Sequence, residues 1–330
     1  MKLLITGGAG YIGSHMAKLA THHGHEVVIL DDLSTGHAAQ AKYGRLVVGR
    51  THDTELLNTL FSAEQFDAVL HFAAFSVVAE SVEMPLKYHE NNVVGTSRLL
   101  DVMEAHQVRL MVFSSTAAVY GDQASSPIHE SAPLSPVNPY GRSKAAVEAM
   151  IEERCTQLGL SAISLRYFNA CGADADAELG ERHDPETHLI PLVIQAALGQ
   201  REDIAIFGND YNTKDGTCIR DYVHVQDLCD AHLLALQTLA GATAGYYRAF
   251  NLGSQGGYSV LEVIETVKQR AQQDGYSVTV RYAPRRAGDP AILIADSQAA
   301  QKELGWQPKL SNLEQIVEHA WTFSIQSLDK

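Results

Sequence analysis

Tyr140 and Lys144 are the two side chains whose types and spacing most directly suggest chemistry. They stand four residues apart in the segment 138–144, NPYGRSK, which reads as the start of a helix. That spacing places both side chains on one helix face. They are a candidate acid–base pair, because an ammonium about 6 Å from a phenol stabilises the phenolate by on the order of 3 kcal/mol, or roughly two pKa units.

Burial of the phenol acts in the opposite direction, since desolvation disfavours the charged form. We therefore expect a second cation, such as an oxidised nicotinamide, to be needed before the pKa of Tyr140 approaches neutrality. The alternative is a partly buried tyrosine and a surface lysine on an ordinary amphipathic helix. Because this spacing often occurs by chance, the surrounding residues must decide between the two interpretations.

A glycine-rich turn near the start of the chain is typical of dinucleotide-binding sites. The apolar strand Lys2–Thr6 leads into GGAGYIGSH and then into a helical pattern. Gly7 (or Gly8), Gly10 and Gly13 let the backbone approach a pyrophosphate, whose charge then lies at the helix N-terminus. The alternative is a tight strand-to-helix turn that binds no ligand.

The next predicted strand ends in two acidic residues, Asp31 and Asp32. Asp31 lies near the spacing of about 20 residues at which an acid binds the hydroxyls of an adenosine ribose. The segment 31–36 contains no base, whereas an NADP enzyme needs a cation for the 2′-phosphate. The sequence therefore predicts NAD as the cofactor. The nearby histidines 22, 23 and 25 lack a second ligand group at metal spacing, and we expect no metal there.

Strands and helical patterns alternate over roughly the first 170 residues. A strand-to-helix junction at 69–74 is followed by strands at 109–113 and 161–167, and each crossover is long enough for a helix. This pattern predicts a Rossmann-type α/β fold, a doubly wound parallel sheet whose ligands bind beyond the carboxyl ends of the strands. The small residues of the junction either pass close to a dinucleotide or simply pack a turn.

The character of the chain changes beyond this region, where residues 174–185 are polar and acidic. We expect residues 1–170 to form the NAD-binding domain and residues 171–330 a smaller α/β substrate domain, with part of 218–254 returning to the first sheet. Arginines 220, 285 and 286 of the second domain are candidate clamps for a phosphorylated ligand. Surface ion pairing is the alternative for each arginine taken singly.

Three hydroxyl residues, Ser114, Ser115 and Thr116, follow the strand at 109–113. Hydroxyls at a strand end usually cap a turn. Thr116 lies upstream of Tyr140 on an adjacent element, however, where its hydroxyl could pass a proton between a substrate and the phenol.

The composition bounds the partners and the compartment. With 330 residues, 45% of them hydrophobic, the chain can bury a large core, and its net charge of −14 argues against nucleic acid as a partner. The four cysteines are scattered, which suggests neither disulfides nor a zinc motif. Since no apolar run approaches the ~20 residues of a membrane span, we expect a cytoplasmic protein without a membrane anchor or signal peptide.

Taken together, these segments resemble the extended short-chain dehydrogenase/reductase family. The resemblance runs over essentially the whole chain, and two segments, AIFGNDY from Ala205 and RDYVHV from Arg220, are more specific than any NAD motif. It implies a homodimeric isomerase that reversibly epimerises UDP-glucose and UDP-galactose at C4, through a 4-keto intermediate, with tightly bound NAD. In that chemistry a base takes the O4 proton, a hydride passes to NAD, the sugar turns over, and the hydride returns to its other face.

The resemblance also implies the site residues. Tyr140 is the acid/base, Lys144 binds the nicotinamide ribose and lowers the pKa of the phenol, and Thr116 relays the proton. The implied cofactor contacts, besides Tyr140 and Lys144, are Gly7, Gly10, Tyr11, Ile12, Gly13, Asp31, Asp32, Leu33, Ser34, Thr35, Gly36, Phe72, Ala73, Ala74, Ser76, Asn91, Ser114 and Phe168. The implied substrate contacts, besides Thr116 and Tyr140, are Asn169, His188, Leu189, Ala205, Ile206, Phe207, Arg220, Tyr222, Arg286, Asp289 and Leu293.

Three positions depart from the family pattern. Arg50 follows Gly49 where the family often has an acid near the adenine, which puts that contact in doubt. Ser76 stands where some members have a lysine near the cofactor phosphates, and His188 where some have an asparagine near the uridine. None of these changes removes a catalytic group.

Two rival functions remain within this resemblance. Nucleotide-sugar 4,6-dehydratases place Asp-Glu directly after the threonine, whereas this chain has Ala117 and Ala118 there. The other rival, a non-catalytic NAD-sensing regulator, is disfavoured because the pair Tyr140 and Lys144 is intact. Within the epimerase reading, Leu293 is predicted to crowd an N-acetyl group, so that UDP-glucose and UDP-galactose are preferred; the alternative is that it is a core residue of a strand at 291–295.

Overall fold

The structure is a computed structural model that describes residues 1–122, 126–254, 256–286 and 289–328. The strands of this part of the chain are β1 (Lys2–Thr6), β2 (Glu26–Asp31), β3 (Arg45–Val48), β4 (Ala68–His71), β5 (Leu110–Thr116), β6 (Ser161–Tyr167), β7 (Asn169–Cys171), β8 (Ile204–Phe207), β9 (Ile219–Arg220), β10 (Tyr222–His224), β11 (Tyr247–Leu252), β12 (Tyr258–Ser259), β13 (Val280–Ala283) and β14 (Ile292–Leu293).

The α-helices of the same part are α1 (Tyr11–His22), α2 (Thr54–Glu64), α3 (Val78–Glu83), α4 (Pro85–Tyr88), α5 (Gly95–Ala105), α6 (Pro139–Leu158), α7 (Leu189–Ala197), α8 (Val225–Ala240), α9 (Val260–Gln273) and α10 (Leu313–Leu328). Short 3₁₀ turns lie at 38–40 and 117–119, and π-helical turns at 89–94 and 300–304. Within the described ranges, no helix is both long enough and apolar enough to cross a membrane.

Seven strands form one parallel sheet in the order β3-β2-β1-β4-β5-β6-β11. Successive side chains of β1 point to opposite faces, so that Leu3 and Ile5 pack with α1 and α8 while Leu4 packs with α2, α5 and α6. Helices therefore cover both faces, which is why the strands are near-continuous apolar runs. This arrangement confirms the predicted doubly wound fold, and its strand order reverses between β1 and β4, where such folds bind ligands.

The edge strand β11 comes from the second half of the chain. It pairs in parallel with β6 from Tyr247 opposite Ala162 to Leu252 opposite Tyr167. The large sheet therefore includes a strand that is distant in sequence from its neighbour β6, since β6 ends at Tyr167 and β11 begins at Tyr247.

A smaller α/β unit contains the remaining strands. Strands β8 and β13 pair, β12, β9 and β14 form a three-stranded sheet, and helices α7, α9 and α10 enclose a core around Trp321. The stretch 219–224 is divided into two short strands that belong to different sheets, because β9 pairs with β12 and β14 whereas β10 pairs with β7. The carboxylate of Asp221, between them, accepts hydrogen bonds from the backbone of Ser254 and Ala295. The strand expected at 291–295 is reduced to β14.

Candidate active site

The start of α6 positions the candidate catalytic pair. The side chain of Asn138 accepts a hydrogen bond of 2.8 Å from the Gly141 N–H, and Pro139 occupies the first helical position, so the helix begins at a fixed point. Tyr140 and Lys144 then lie in its first and second turns. The Lys144 Nζ donates to the Ser114 carbonyl at 2.8 Å, which ties the pair to the end of β5.

Burial dominates the electrostatics of this pair. It raises the pKa of the Tyr140 phenol to about 12, although a hydrogen bond with Thr116 lowers it. Burial also lowers the pKa of Lys144 to about 7, opposed by the charge of Glu148. The protein groups alone thus do not produce the low phenol pKa implied for Lys144, which strengthens the expectation that a second cation is required.

A buried network that sequence reasoning missed lies beside the pair. Glu148 is one turn beyond Lys144, and its carboxylate accepts hydrogen bonds from the Arg166 guanidinium, with Nε 2.9 Å from Oε1, and from the Ser115 hydroxyl. Arg166 Nη1 also donates to the Tyr120 hydroxyl at 2.8 Å. These groups fix α6 against β5 and β6. A glutamate eight residues after the tyrosine was the only signal in the sequence.

The glycine turn has the backbone geometry that a dinucleotide needs. Gly7 has φ +73° and approaches the loop after β4 so closely that a Cβ there would lie 2.6 Å from the Ala73 nitrogen. A Cβ at Gly13 would lie 2.2 Å from the Gly7 carbonyl oxygen. Because Gly10 provides no side-chain cap, the first N–H groups of α1 are left for a ligand. The turn therefore fits a bound pyrophosphate.

Asp31 braces this turn from the end of β2. Its buried carboxylate accepts hydrogen bonds from the backbone N–H groups of Ala9 at 3.0 Å and Leu33 at 2.9 Å, and burial raises its pKa. Leu33 adopts the left-handed conformation, with φ 58°, which is uncommon outside glycine and clusters at functional sites. Arg50 lies 3.2 Å from the carboxylate of Asp32. Arg50 is therefore a basic residue close to the segment 31–36, but its guanidinium is paired with the Asp32 carboxylate.

The loop after β4 is fastened by Asn92, a second residue that sequence reasoning missed. Its side-chain amide donates to the Phe75 carbonyl at 3.0 Å and accepts from the Phe75 N–H at 2.9 Å. It also donates to the Ser143 hydroxyl at 3.0 Å, while the predicted residue Asn91 donates to it. Asn92 thus connects this loop to α6. The pair of asparagines was visible in the sequence, but only Asn91 was selected.

The predicted cofactor residues come together at the carboxyl edge of the large sheet. They lie in the glycine turn and first turn of α1 (Gly7, Gly10, Tyr11, Ile12, Gly13), after β2 (31–36), after β4 (Phe72, Ala73, Ala74 and the exposed Ser76), in the π-helical turn (Asn91), in β5 (Ser114) and after β6 (Phe168). The Tyr11 hydroxyl donates to the Gly172 carbonyl at 2.6 Å, which joins α1 to the second half of the chain.

Only part of the predicted substrate set forms one group. Arg220 forms an ion pair with Asp289, the guanidinium of Arg286 lies 4.1 Å from the Phe207 ring centroid, and Leu293 is opposite Arg220 in the pairing of β14 with β9. Residues 287 and 288 of this stretch lie outside the described part. The arginines are therefore paired or stacked while remaining close to one another.

The other predicted substrate residues are distributed around this group. The side chains of Ile206 and Tyr222 are buried in the core of the smaller unit. Asn169 donates to the Asp221 carbonyl at 2.7 Å. The remaining three occupy β8 (Ala205) and the start of α7 (His188, Leu189). These roles stay predictions.

Comparison with known proteins gives a consistent picture. A family model described as GDP-mannose 4,6 dehydratase matches residues 4–320. The chain is 51% identical to a UDP-glucose 4-epimerase of Halalkalibacterium halodurans, covering 98% of this chain and 95% of that one, and 48% identical to one of Corynebacterium glutamicum, covering 98% and 96%. The solved structure of a UDP-glucose 4-epimerase from Brucella ovis in complex with NAD has a TM-score of 0.93 and 44% identity, covering 97% of each chain.

Proposed function

Because the chain belongs to the UDP-glucose 4-epimerases of the extended short-chain dehydrogenase/reductase family, we propose that it interconverts UDP-glucose and UDP-galactose at C4 with NAD as its cofactor. The observation that carries the proposal is the arrangement at the start of α6. There Lys144 is held on the Ser114 carbonyl one turn beyond Tyr140, and the Thr116 hydroxyl lowers the pKa of the buried Tyr140 phenol.

Each residue of this arrangement has a defined task. When bound, NAD supplies the acceptance of a hydride from C4 and its return. Tyr140 takes the O4 proton and gives it back, with the Thr116 hydroxyl as relay, and Lys144 binds the nicotinamide ribose. Since burial alone raises the pKa of Tyr140 to about 12, oxidation of the sugar is restricted to the state in which a cation faces the phenol.

The substrate is held by its nucleotide. We propose that Arg220, Arg286 and Phe207 bind the UDP moiety, and that Asp289 holds Arg220 in position. A firmly held pyrophosphate allows the hexose to turn over between the two hydride transfers, provided that few strong contacts reach the sugar.

The dehydratase reading is the second candidate, since the matching family model carries that description. Ala117 and Ala118 follow Thr116 in the chain and form the 3₁₀ turn after β5. Neither provides a carboxyl group for elimination across C5 and C6. The epimerase is therefore the better-supported function.

The decisive experiment is incubation of the purified protein with UDP-galactose without added NAD. We expect UDP-glucose to form, and a 4-keto-6-deoxy sugar as the main product would instead support a dehydratase. Tyr140→Phe should reduce the rate by about 10²- to 10⁴-fold, the usual contribution of a general acid–base group, while the protein still binds NAD. Retention of more than half the rate would exclude Tyr140 as the acid/base.

We further propose that the protein is a cytoplasmic homodimer of galactose metabolism. The family resemblance, in which two helices of each subunit pack together, supports the dimer. Four free buried cysteines, at 155, 171, 218 and 229, support a reducing compartment. Light scattering coupled to size-exclusion chromatography measures the oligomeric state.

A further inference from the structure

Four side chains between residues 181 and 188 direct metal-ligating atoms toward one point. One ring nitrogen each of His183 and His188 and one carboxylate oxygen each of Glu181 and Glu186 all lie within 4.8 Å of one another. His183 Nδ1 is 3.1 Å from Glu181 Oε1 and 3.7 Å from Glu186 Oε1. His188 Nδ1 forms a hydrogen bond with Glu181 Oε1 and is 3.6 Å from Glu186 Oε1. Tetrahedral coordination at 2.0–2.1 Å predicts ligand–ligand separations of roughly 3.3 Å.

The two carboxylates of this cluster need a positive charge. The side chains of Glu181 and Glu186 are only 6% and 5% exposed, and carboxylates buried to this extent must be paired or bound to a cation. Arg182 does not serve them, because its guanidinium stacks on the Phe323 ring at 5.2 Å and donates to Ser327. Within the described part of the chain, the two imidazoles are the basic groups that face them.

The geometry of the His183 imidazole and of Glu186 favours coordination. His183 Nδ1 is buried and, although close to Glu181, forms no hydrogen bond within the described residues. The Glu186 carboxylate is oriented by backbone N–H groups, which donate to its Oε1 from Thr187 at 2.7 Å and His188 at 2.9 Å. Such supporting hydrogen bonds to a ligand are characteristic of metal sites.

We propose that Glu181, His183, Glu186 and His188 bind a divalent transition-metal ion of the Zn²⁺ class. Two imidazoles and two carboxylates suit Zn²⁺ or Co²⁺, whereas Mg²⁺ and Ca²⁺ prefer sites made of oxygen alone. The ion takes the place of the imidazole protons and neutralises both buried carboxylates. The inference does not depend on the epimerase activity.

The location gives the ion a structural task. The His183 ring meets the Tyr11 ring edge to face, with centroids 6.3 Å apart, and Tyr11 is in the first turn of α1. His188 directly precedes α7 of the smaller unit. The ion would therefore fasten the segment that runs from the glycine turn of the large sheet to the smaller unit.

Co²⁺ titration tests the site directly. The NAD-loaded protein is stripped of metal with EDTA and titrated with Co²⁺, and we expect one equivalent to give the intense visible absorption of tetrahedral Co²⁺, which Zn²⁺ abolishes. His183→Gln and Glu186→Gln should each weaken binding at least tenfold. His319→Gln is the matched control, because His319 Nδ1 contacts His224 Nε2 at 2.9 Å and, in the described part of the chain, this histidine pair belongs to no group of metal-ligating side chains.

Two outcomes would overturn the proposal: an equal affinity of all variants for Co²⁺, or no absorption of tetrahedral Co²⁺ at millimolar concentration. Should a variant fold poorly, the wild type provides an independent measurement. Zn²⁺ should raise its Tm at pH 7 and have much less effect at pH 5, because the imidazoles must lose their protons to bind. A Tm shift that is the same at both pH values would also contradict the assignment.

Discussion

Two buried lysines of this molecule have opposite electrostatic fates. Lys18 and Lys144 are 8% and 3% exposed, but Lys144 is enclosed much more deeply than Lys18. The Lys18 Nζ lies 2.6 Å from Asp174, 2.9 Å from Glu178 and 3.5 Å from Asp176. Carboxylate partners raise its pKa despite desolvation. The Lys144 Nζ has a backbone carbonyl and lies 4.7 Å from the Phe113 ring centroid, and burial lowers its pKa to about 7.

The difference shows that depth of burial and carboxylate partners together set the pKa of a buried lysine. With acids around it, Lys18 is permanently charged and anchors α1 to the segment 174–178. Without a direct acid partner, Lys144 titrates near neutrality, which is the property expected of a group in a reaction site. Lys18 therefore stabilises the folded protein, whereas the burial of Lys144 lowers the free energy of unfolding.

The largest effect on activity should come from the substitution Lys144→Met. We expect activity to fall by about 10²- to 10⁴-fold, because the group that binds the ribose and supports the phenol is lost. Stability should not fall at pH 6, since folding lowers the pKa of this lysine from its ordinary value of 10.5 to about 7. The unfolded chain thus binds the proton more tightly, and the cost of burial is complete below pH 7 and fades as pH rises toward 10.5.

Activity assays combined with urea unfolding at pH 6 and pH 9 test this prediction. The stability of Lys144→Met relative to the wild type should be greater at pH 6 than at pH 9. A variant that loses stability and activity together would remove the contrast between the two lysines.

Lys18→Met should have the opposite effects, a loss of stability with little loss of activity. We expect the free energy of unfolding to fall by about 3 kcal/mol, because the buried carboxylate of Asp174 loses its partner. The pKa of Lys18 is raised, so its contribution is present below its ordinary value and is lost as pH rises above it. Hydrogen bonds from Tyr43 and from Lys18 lower the pKa of Glu178 to about 2, so the contribution of the Lys18 pair is present above the ordinary value of 4.5 and is lost as pH falls toward 2.

The difference in stability between the wild type and Lys18→Met should therefore be largest between about pH 5 and pH 10. Chemical denaturation across this range measures it. Activity per folded molecule should stay within about twofold of the wild type, and a large loss of activity without a loss of stability would contradict an anchoring role.

Asp31 extends the comparison to a buried acid that has backbone donors but, among the residues the structure describes, no ion pair with a cation. Asp31→Asn should weaken NAD binding by roughly ten- to a hundredfold and reduce discrimination against NADP, because a charged acceptor of the ribose hydroxyls is lost. Asp32→Asn is the control, since the Asp32 carboxylate is paired with Arg50. Equal effects of the two substitutions on NADP discrimination, measured by equilibrium binding, would refute the role of Asp31.

The smallest effect, a change in substrate preference, is expected from a substitution at Leu293. This residue is apolar and has no part in the contrast between the two lysines. This side chain, like that of Phe168, packs against a buried cluster that includes Tyr120. The wild type should prefer UDP-glucose and UDP-galactose over their N-acetyl forms by roughly tenfold or more in kcat/KM, and Leu293→Ser should reduce this ratio by a few-fold. An unchanged ratio would mean that Leu293 is only a packing residue.

The sequence was sufficient to predict those parts of the fold and of the site that a local pattern determines. The glycine turn and the proline-initiated start of α6 depend on neighbours within a few residues, and the alternation of strands and helices predicted the sheet. Contacts between distant segments were not readable. Glu148 meets Arg166, and Asn92 meets Phe75, only after the elements are packed. The pKa of Lys144 was unpredictable for the same reason, since its burial depends on the whole fold.

The position of β11 at the edge of the large sheet has a consequence for synthesis of the protein. Strand β6 is buried along its whole length and ends at Tyr167, but β11, which covers its free edge, begins only at Tyr247. At about 5–20 residues per second, a ribosome needs roughly 4 to 16 s to make the intervening chain. During that time the nascent chain presents an unpaired apolar edge, which is a template for aggregation. Chaperone dependence should therefore be greatest while this stretch is being translated.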